Sequence, residues 1–323
     1  ARLGGAVRFV GRVGADPFGG RLAAALEHDG VDTAALGRST RPSGVAFIQV
    51  DEHGQNTIVV SPGANHDLSV ADLGAGEAGA SLATATATVL MLQLEIPLDV
   101  VLAAAAAGRR AGALVMLNLA PARRLEPSQL ADVSLLLVNE HEAAIQLGAD
   151  AEGKTPEEWA VALCRFVPSA VVTLGGDGAV WACRAGPADA DGSRAVSGDG
   201  GASSRSEGWS GGVSHGRVPA FEVTVIDTTA AGDAFAGALA YWLAQAGLLA
   251  GRVGGVSETS GSAPPGVPSG ATHLAERGGE HPLAAAVRFA NAAGALAATR
   301  PGAQPSLPTL ADVTDMLRRR LLE

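Results

Sequence analysis

Lysine occurs once in these 323 residues, at Lys154, and arginine supplies every other basic side chain. No GxxxxGK[ST] is present, so a Walker-type phosphate loop is excluded. Basic residues form no block and the formal net charge is −10, which argues against nucleic acid as the main partner. Acidity does not exclude a phosphorylated ligand, because helix amides and a metal ion can hold phosphate without lysine. Cysteine is scarce too. Cys164 and Cys183 make no CxxC or metal-ligand spacing and read as buried or neutral thiols in a reducing compartment. No apolar run is long enough to span a membrane, and no signal peptide is visible. The expected location is intracellular, cytoplasmic by default. Organelle targeting stays open because the chain begins with Ala1 rather than Met. A dinucleotide-binding dehydrogenase is disfavoured, since the glycines of GRVGADPFGG (residues 11–20) do not fit GxGxxG.

What is present is a series of apolar runs alternating with helical patterns. VRFVG (7–11) reads as a strand, Gly14 and Asp16 as turn and cap, and the next residues as a helix. Two β-rich runs, 45–50 and 57–60, are joined by DEHGQN and read as a hairpin standing apart from the main sheet. From residue 88 onward, strands are expected at TVLMLQL, 114–119, 134–138, 170–174 and 179–183, with helices at 99–109, 140–147 and 156–166. Fully apolar strands alternating with helices indicate a parallel sheet covered on both faces, with ligands at the strands' carboxyl ends. The polar residues ending strands are therefore of interest: Glu95, Asn118, Asn139, Thr173 and Asp227. Residues 185–216 and 251–279 are rich in Gly, Ser, Ala, Asp and Pro and read as disordered surface insertions.

Four stretches carry chemistry. VIDTTAAGDAFAGALA (225–240) reads as strand, tight turn and helix, with Gly232 and Asp233 in the helix's first turn. Free amides there can hold an anion, and Asp233 beside a bound phosphate would be a base for an attacking hydroxyl. Equally, Asp233 is a favourable first-turn acid and Gly232 a packing glycine. In NEHE (139–142), Glu142 is either a Mg²⁺ ligand through water or a first-turn acid. TLGGDG (Thr173, Leu174, Gly175, Gly176, Asp177, Gly178) is either a nucleotide-approach loop or a strand turn with left-handed glycines. RPGAQPS (300–306) punctuates a helix end, and its carbonyls could also ligate a cation.

Together these stretches resemble the ribokinase-like (PfkB-type) carbohydrate kinases. DTTAAGDAFAGAL is similar to that family's C-terminal signature, and LQLEIP, LNLAPAR, LLLVNEHEA, TLGGDGAV, RFANAAGALAATRPGAQPSLP and SPGANHDLS are similar to segments of its ribose-acting members. The resemblance covers nearly the whole chain apart from the two insertions. It implies one kinase domain over 1–323, with a three-layer α/β/α fold, a mostly parallel central sheet and a small β lid, of which 43–60 is part. The implied reaction is ATP-dependent phosphorylation of D-ribose at the 5-hydroxyl. Asp233 would be the general base, and the amides of Ala231, Gly232 and Asp233 the anion hole. Glu95 would hydrogen-bond the sugar. Asn139, the 173–178 loop and Asn291 would hold ATP, and Glu142 would act on Mg²⁺. Asp227, Thr229, Ala297, Arg300, Gly302 and Ser306 would surround an activating K⁺. The lid would also be a homodimer contact; neither nucleic acid nor membrane is an expected partner. The family's N-terminal part, a strand with an Asn/Asp pair, lid strands and GGKGAN, is absent ahead of ARLGG. The expectation is a chain that binds ATP but has an incomplete sugar side and an exposed sheet edge. Two alternatives follow: another sugar or nucleoside kinase of this family, or a nucleotide- or sugar-binding protein without turnover.

Overall fold

Asp16 sets the first strand-turn-helix unit. A computed structural model of the chain describes residues 1–50, 56–74, 89–184, 207–210, 212–246 and 280–319. Strand β1 (Gly11–Gly14) leads into helix α1 (Pro17–His28) and pairs in parallel with β2 (Leu36–Ser39). Asp16 caps α1 by accepting from the Gly19 N–H at 2.8 Å, and its other oxygen accepts from the Ser43 N–H at 2.7 Å. These bonds, the Gly19 one foremost, hold the carboxyl below its usual pKa. Pro17 at the first helical position needs no N–H partner. The strand expected over 7–11 starts only at Gly11. Val7 and Phe9 stand 39% and 43% exposed, and Arg8 forms only an isolated parallel β-bridge with Asp32.

The hairpin is as expected. Strand β3 (Val45–Val50) pairs antiparallel with β4 (Asn56–Ser61) in a sheet of its own, with Phe47 opposite Val59. Most of its connecting loop lies outside the described residues. Helix α2 (Val70–Gly74) follows, with Ser69 donating through both N–H and Oγ to Asp72 at 2.8 Å. Strand β5 (Val89–Leu92) comes next, and then helix α3 (Leu98–Arg110), which packs against α2. Two compact units result: Ala1–Ala87 with Gln93–Ala111, and Thr88–Leu92 with Gly112–Glu323.

The second unit is built on β5, β6 (Leu114–Asn118), β7 (Leu135–Asn139), β8 (Ser169–Thr173), β9 (Ala179–Arg184), β10 (Glu207–Ser210) and β11 (Val213–Val218). Their order in the sheet is β10-β11-β9-β8-β7-β6-β5. Strands β5 to β8 run in parallel, as their apolar composition predicts. The pairings β8–β9, β9–β11 and β11–β10 are antiparallel, so the sheet is mixed. This corrects the reading of 185–216 as a disordered insertion, because residues 207–210 and 213–218 are strands. A ladder at a sheet edge is held by backbone hydrogen bonds and needs little apolar sequence. Residues 185–206 and 251–279 lie outside the described residues.

Helices α4 (Glu140–Leu147), α5 (Pro156–Leu163), α6 (Ala231–Gln245), α7 (Pro282–Ala298) and α8 (Leu310–Arg319) complete this unit. Trp181 and Arg217 tell the two faces apart. The Trp181 ring stacks on His281 at the start of α7, with centroids 4.5 Å apart. Val180, on the opposite face, lies across from Arg217, which pairs with Glu157 of α5 at 2.7 Å. Helix α6 packs on α7 and touches β5, so α6 and α7 cover one face while α5 covers the other. The result is the α/β/α layering expected. The central strands β6 to β9 are buried almost completely, and each large aliphatic side chain so placed contributes about 1.5–3 kcal/mol. Both thiols lie in this core, where burial pushes Cys164 up to about 12.

Candidate active site

A helix start needs something to bond its first amides, and most helices here supply a side chain. Asp16 does so for α1, Asn139 for α4, Thr155 for α5 and His281 for α7. At α6 the cap position is Ala230, with no side-chain bond. The Ala231 N–H donates to the Thr228 carbonyl at 3.1 Å, and the Ala234 N–H to Ala230 at 2.9 Å. That leaves the amides of Gly232 and Asp233 without a partner among the described residues. The three-amide hole expected from sequence is therefore a two-amide one, because the turn uses Ala231 to close itself. A Cβ built on Gly232 would meet nothing within 4 Å, so the approach to these amides is open.

The Asp233 side chain reaches solvent, yet the surrounding protein removes enough water from it to raise its pKa above the usual aspartate value. Desolvation is the sole cause, and among the described residues no hydrogen bond holds the carboxylate. A group with these properties is an available base.

The position of this helix start follows from contacts. Residues Asn139, Thr173, Ala179 and Val218 lie side by side across the sheet, at the carboxyl ends of β7, β8 and β11. Asn291, in the middle of α7, donates to the carbonyls of Val218 and Pro219 at 3.1 and 3.2 Å. Ala231 lies against Gly294, one turn further along α7. The start of α6 is thus at the same sheet edge where the parallel strands end, the usual place for ligands in such sheets.

The turn before α6 differs from its sequence reading. Val225 and Ile226 are not in a strand. They are 59% and 63% exposed, and the Ile226 and Asp227 N–H groups bond to the Ala298 carbonyl at 2.8 and 3.2 Å. Among the described residues no strand pairs with them, and the end of α7 accepts these N–H groups instead. Asp227 accepts from Thr229 Oγ1 at 2.5 Å and Thr229 N–H at 2.9 Å, and from the Gly302 N–H at 2.8 Å. Those bonds, Thr229's hydroxyl first, hold its carboxyl below the usual range. Asp227, Thr229 and Gly302, three of the six residues expected around a cation, are therefore joined by hydrogen bonds. The Ala297 carbonyl accepts from the Arg300 N–H at 3.1 Å, the Arg300 side chain pairs with Asp312, and Ser306 is buried with its hydroxyl on the Ala303 carbonyl.

Three other expectations meet competing structural roles. Asn139 and Glu142 form a reciprocal capping box, each side chain accepting the other's N–H at 2.8 Å. Glu142 is buried, and that burial raises its pKa. One of its oxygens is thus committed to α4. Replacing Asn139 with Ala should destabilise the fold by about 1 kcal/mol, readable in a denaturant titration. The Asn291 amide donates to the last residue of β11 and the one after it, bonds across 73 and 72 residues that no local pattern signals. In the 173–178 loop, Gly178 has φ +90 and a Cβ there would come within 2.2 Å of the Val218 oxygen, so its glycine serves packing. Gly175 (φ +54) and Gly176 face open space. Glu95 is exposed in the first unit, and its N–H donates to the Gln93 side chain. Among the described residues no group of three or more His, Cys, Asp or Glu could hold a metal, and no helix is long and apolar enough to cross a membrane.

The pfkB family carbohydrate kinase profile matches residues 1–310. The chain is 30% identical over 320 residues to ribokinase of Haemophilus influenzae, covering 98% of this chain and 83% of that one. It is 30% identical over 253 residues to deoxyribokinase of Salmonella typhi, covering 76% and 72%. The solved structure of Arabidopsis thaliana ribokinase complexed with ribose and ATP superposes with a TM-score of 0.68 at 23% identity, covering 98% of this chain and 83% of that one.

Proposed function

The chain belongs to the pfkB family of carbohydrate kinases, which are phosphotransferases, and from that premise we propose that it moves the γ-phosphoryl group of ATP to the 5-hydroxyl of D-ribose. The observation that carries the reading is the uncapped start of α6, where two free amides lie beside a carboxylate that has no partner. The Asp233 carboxylate takes the proton of the sugar's primary hydroxyl as its oxygen attacks the γ-phosphorus, and ADP departs with the electron pair of the broken bond. The amides of Gly232 and Asp233 stabilise the charge on the transferred group, at about 3–4 kcal/mol per donor. Asn139, the 173–178 loop and Asn291 belong to the ATP side of this proposal, with Gly175 and Gly176 the parts whose open surroundings favour contact. The ATP in the A. thaliana structure supports that side.

Mg²⁺ fits the remaining oxygen of Glu142 through water, and its chemistry would be to neutralise phosphate charge. K⁺ would be held by side-chain or carbonyl oxygens of Asp227, Thr229, Ala297, Arg300, Gly302 and Ser306, of which Asp227, Thr229 and Gly302 are joined by hydrogen bonds, and would fix the turn beside the anion hole. Glu95 is the proposed sugar contact. The exposed Phe47 and Val59 pair supports the hairpin as lid and homodimer contact.

A second reading, a different sugar as acceptor, is favoured by the deoxyribokinase relative. Steady-state turnover of ATP with ribose, deoxyribose, fructose and nucleosides, with and without K⁺, separates the two. Ribose is expected to give the highest kcat/KM. A higher value for another acceptor overturns the ribose assignment, and ATP binding without turnover of any acceptor overturns the kinase assignment for this chain.

A further inference from the structure

Strand β6 ends in Asn118, a residue type depleted in strands that usually needs a local reason. Its surroundings supply none. The side chain is half-buried and has no hydrogen-bond partner among the described residues. By contrast, its backbone is firmly held. The next N–H, of Leu119, donates to the Leu137 carbonyl at 3.0 Å. Six residues further on, Leu125 is gripped by buried Gln146 of α4, which accepts its N–H at 2.9 Å and donates to its carbonyl at 2.8 Å.

The pleat shows which face Asn118 is on. Asn118 lies beside Leu137, Leu137 beside Val171, and Val171 beside Trp181. Trp181 faces α7 through its stack on His281. Asn118 is therefore on the α6–α7 face, at the edge where α6 begins. The other polar side chains ending β7 and β8 are engaged: Asn139 on the Glu142 N–H, and Thr173 on the Val138 carbonyl at 3.4 Å. At the ends of β6, β7 and β8, Asn118 is the polar side chain left unbound.

We propose that Asn118 binds a phosphate oxygen of the nucleotide through its Nδ2 donors. The inference rests on the kinase reading above. An uncharged donor suits this edge, because Asp233, Glu140 and Glu142 already supply negative charge and the chain's single lysine, Lys154, lies in the loop before α5. A rigid strand end fixes the amide without loop ordering, which is what precise placement of a phosphoryl group needs.

Calorimetric titration with Mg·ATP, on the full chain and two variants, tests this. Asn118→Ala should weaken ATP binding about tenfold, the usual effect of losing one hydrogen bond to a charged group. Asn118→Asp keeps the shape but turns a donor into a like charge, so it should weaken binding further. Neither should lower the melting temperature of the ligand-free chain, since no protein bond is lost. Unchanged ATP affinity in Asn118→Ala overturns the inference, as does an Asp variant that binds as well as the Ala variant. A fall in affinity that merely follows a fall in melting temperature also overturns it. A wild-type chain that binds no ATP overturns the kinase reading itself, and this inference with it.

Discussion

Asp233→Asn should lower kcat by about 10²–10⁴-fold while leaving ATP affinity unchanged, because it removes the proton acceptor but keeps the backbone amides. The change spares the helix start, since the Asp233 N–H belongs to the main chain. Its pH signature follows from desolvation, which raises the carboxyl above its ordinary value. The base works only when ionised, so wild-type kcat/KM should fall as pH drops through this raised pKa. The acid limb then lies at higher pH than an ordinary aspartate would give, and the residual activity of the Asn variant should lack it. The stability sign is opposite. A carboxyl with a raised folded pKa favours folding only while protonated, and it opposes folding increasingly as pH rises past its unfolded pKa. At neutral pH, Asp233→Asn should thus raise the melting temperature of the ligand-free chain. Turnover at the wild-type rate in this variant would remove Asp233 from the mechanism.

Gly178→Ala should cost about 3 kcal/mol or more, seen as a fall of roughly 6–12 °C in the melting temperature of the second unit. Two effects add. The backbone sits at φ +90, where a side chain is strained, and the new Cβ would meet backbone atoms of residues 218–220 at 2.2, 2.6 and 2.7 Å. Backbone cannot step aside as a flexible side chain can. That stretch is also the one Asn291 holds, so shifting it would loosen α7 from the sheet. Gly176→Ala is the control two residues away, where a Cβ meets nothing and φ is unstrained. It should leave the melting temperature unchanged. If both variants melt with the wild type, Gly178 has no packing role.

How far the chain was legible depended on the range of the interaction involved. The helix over Glu140–Leu147 appears with the boundaries its sequence predicts, because its capping box and its closing glycine are all within a few residues of each other. Strands β5 to β8 were legible from apolar runs, since burial on both faces leaves a continuous signature. Strands β10 and β11 were not. Gly, Ser and His in 207–216 carry no periodic signal, and only the pairing of β11 with β9 and of β10 with β11 makes them strands. The same limit applied to glycine: three in TLGGDG look alike in sequence, and only Gly178 is pressed against another segment.

The sequence by itself determined the family, the α/β class, the placement of Gly232 and Asp233 in a helix's first turn, and a set of candidate site residues. Each of these rests on local order, on residue type and spacing along a single strand, turn or helix. Tertiary structure alone decided which of those groups remain free to act. It engaged Asn291 on Val218 and Pro219 and brought nothing among the described residues to bond the Gly232 and Asp233 amides or the Asp233 carboxylate. Whether a polar group is satisfied depends on what the fold brings within about 3 Å of it. For Asn291, that neighbour comes from more than seventy residues away in the chain.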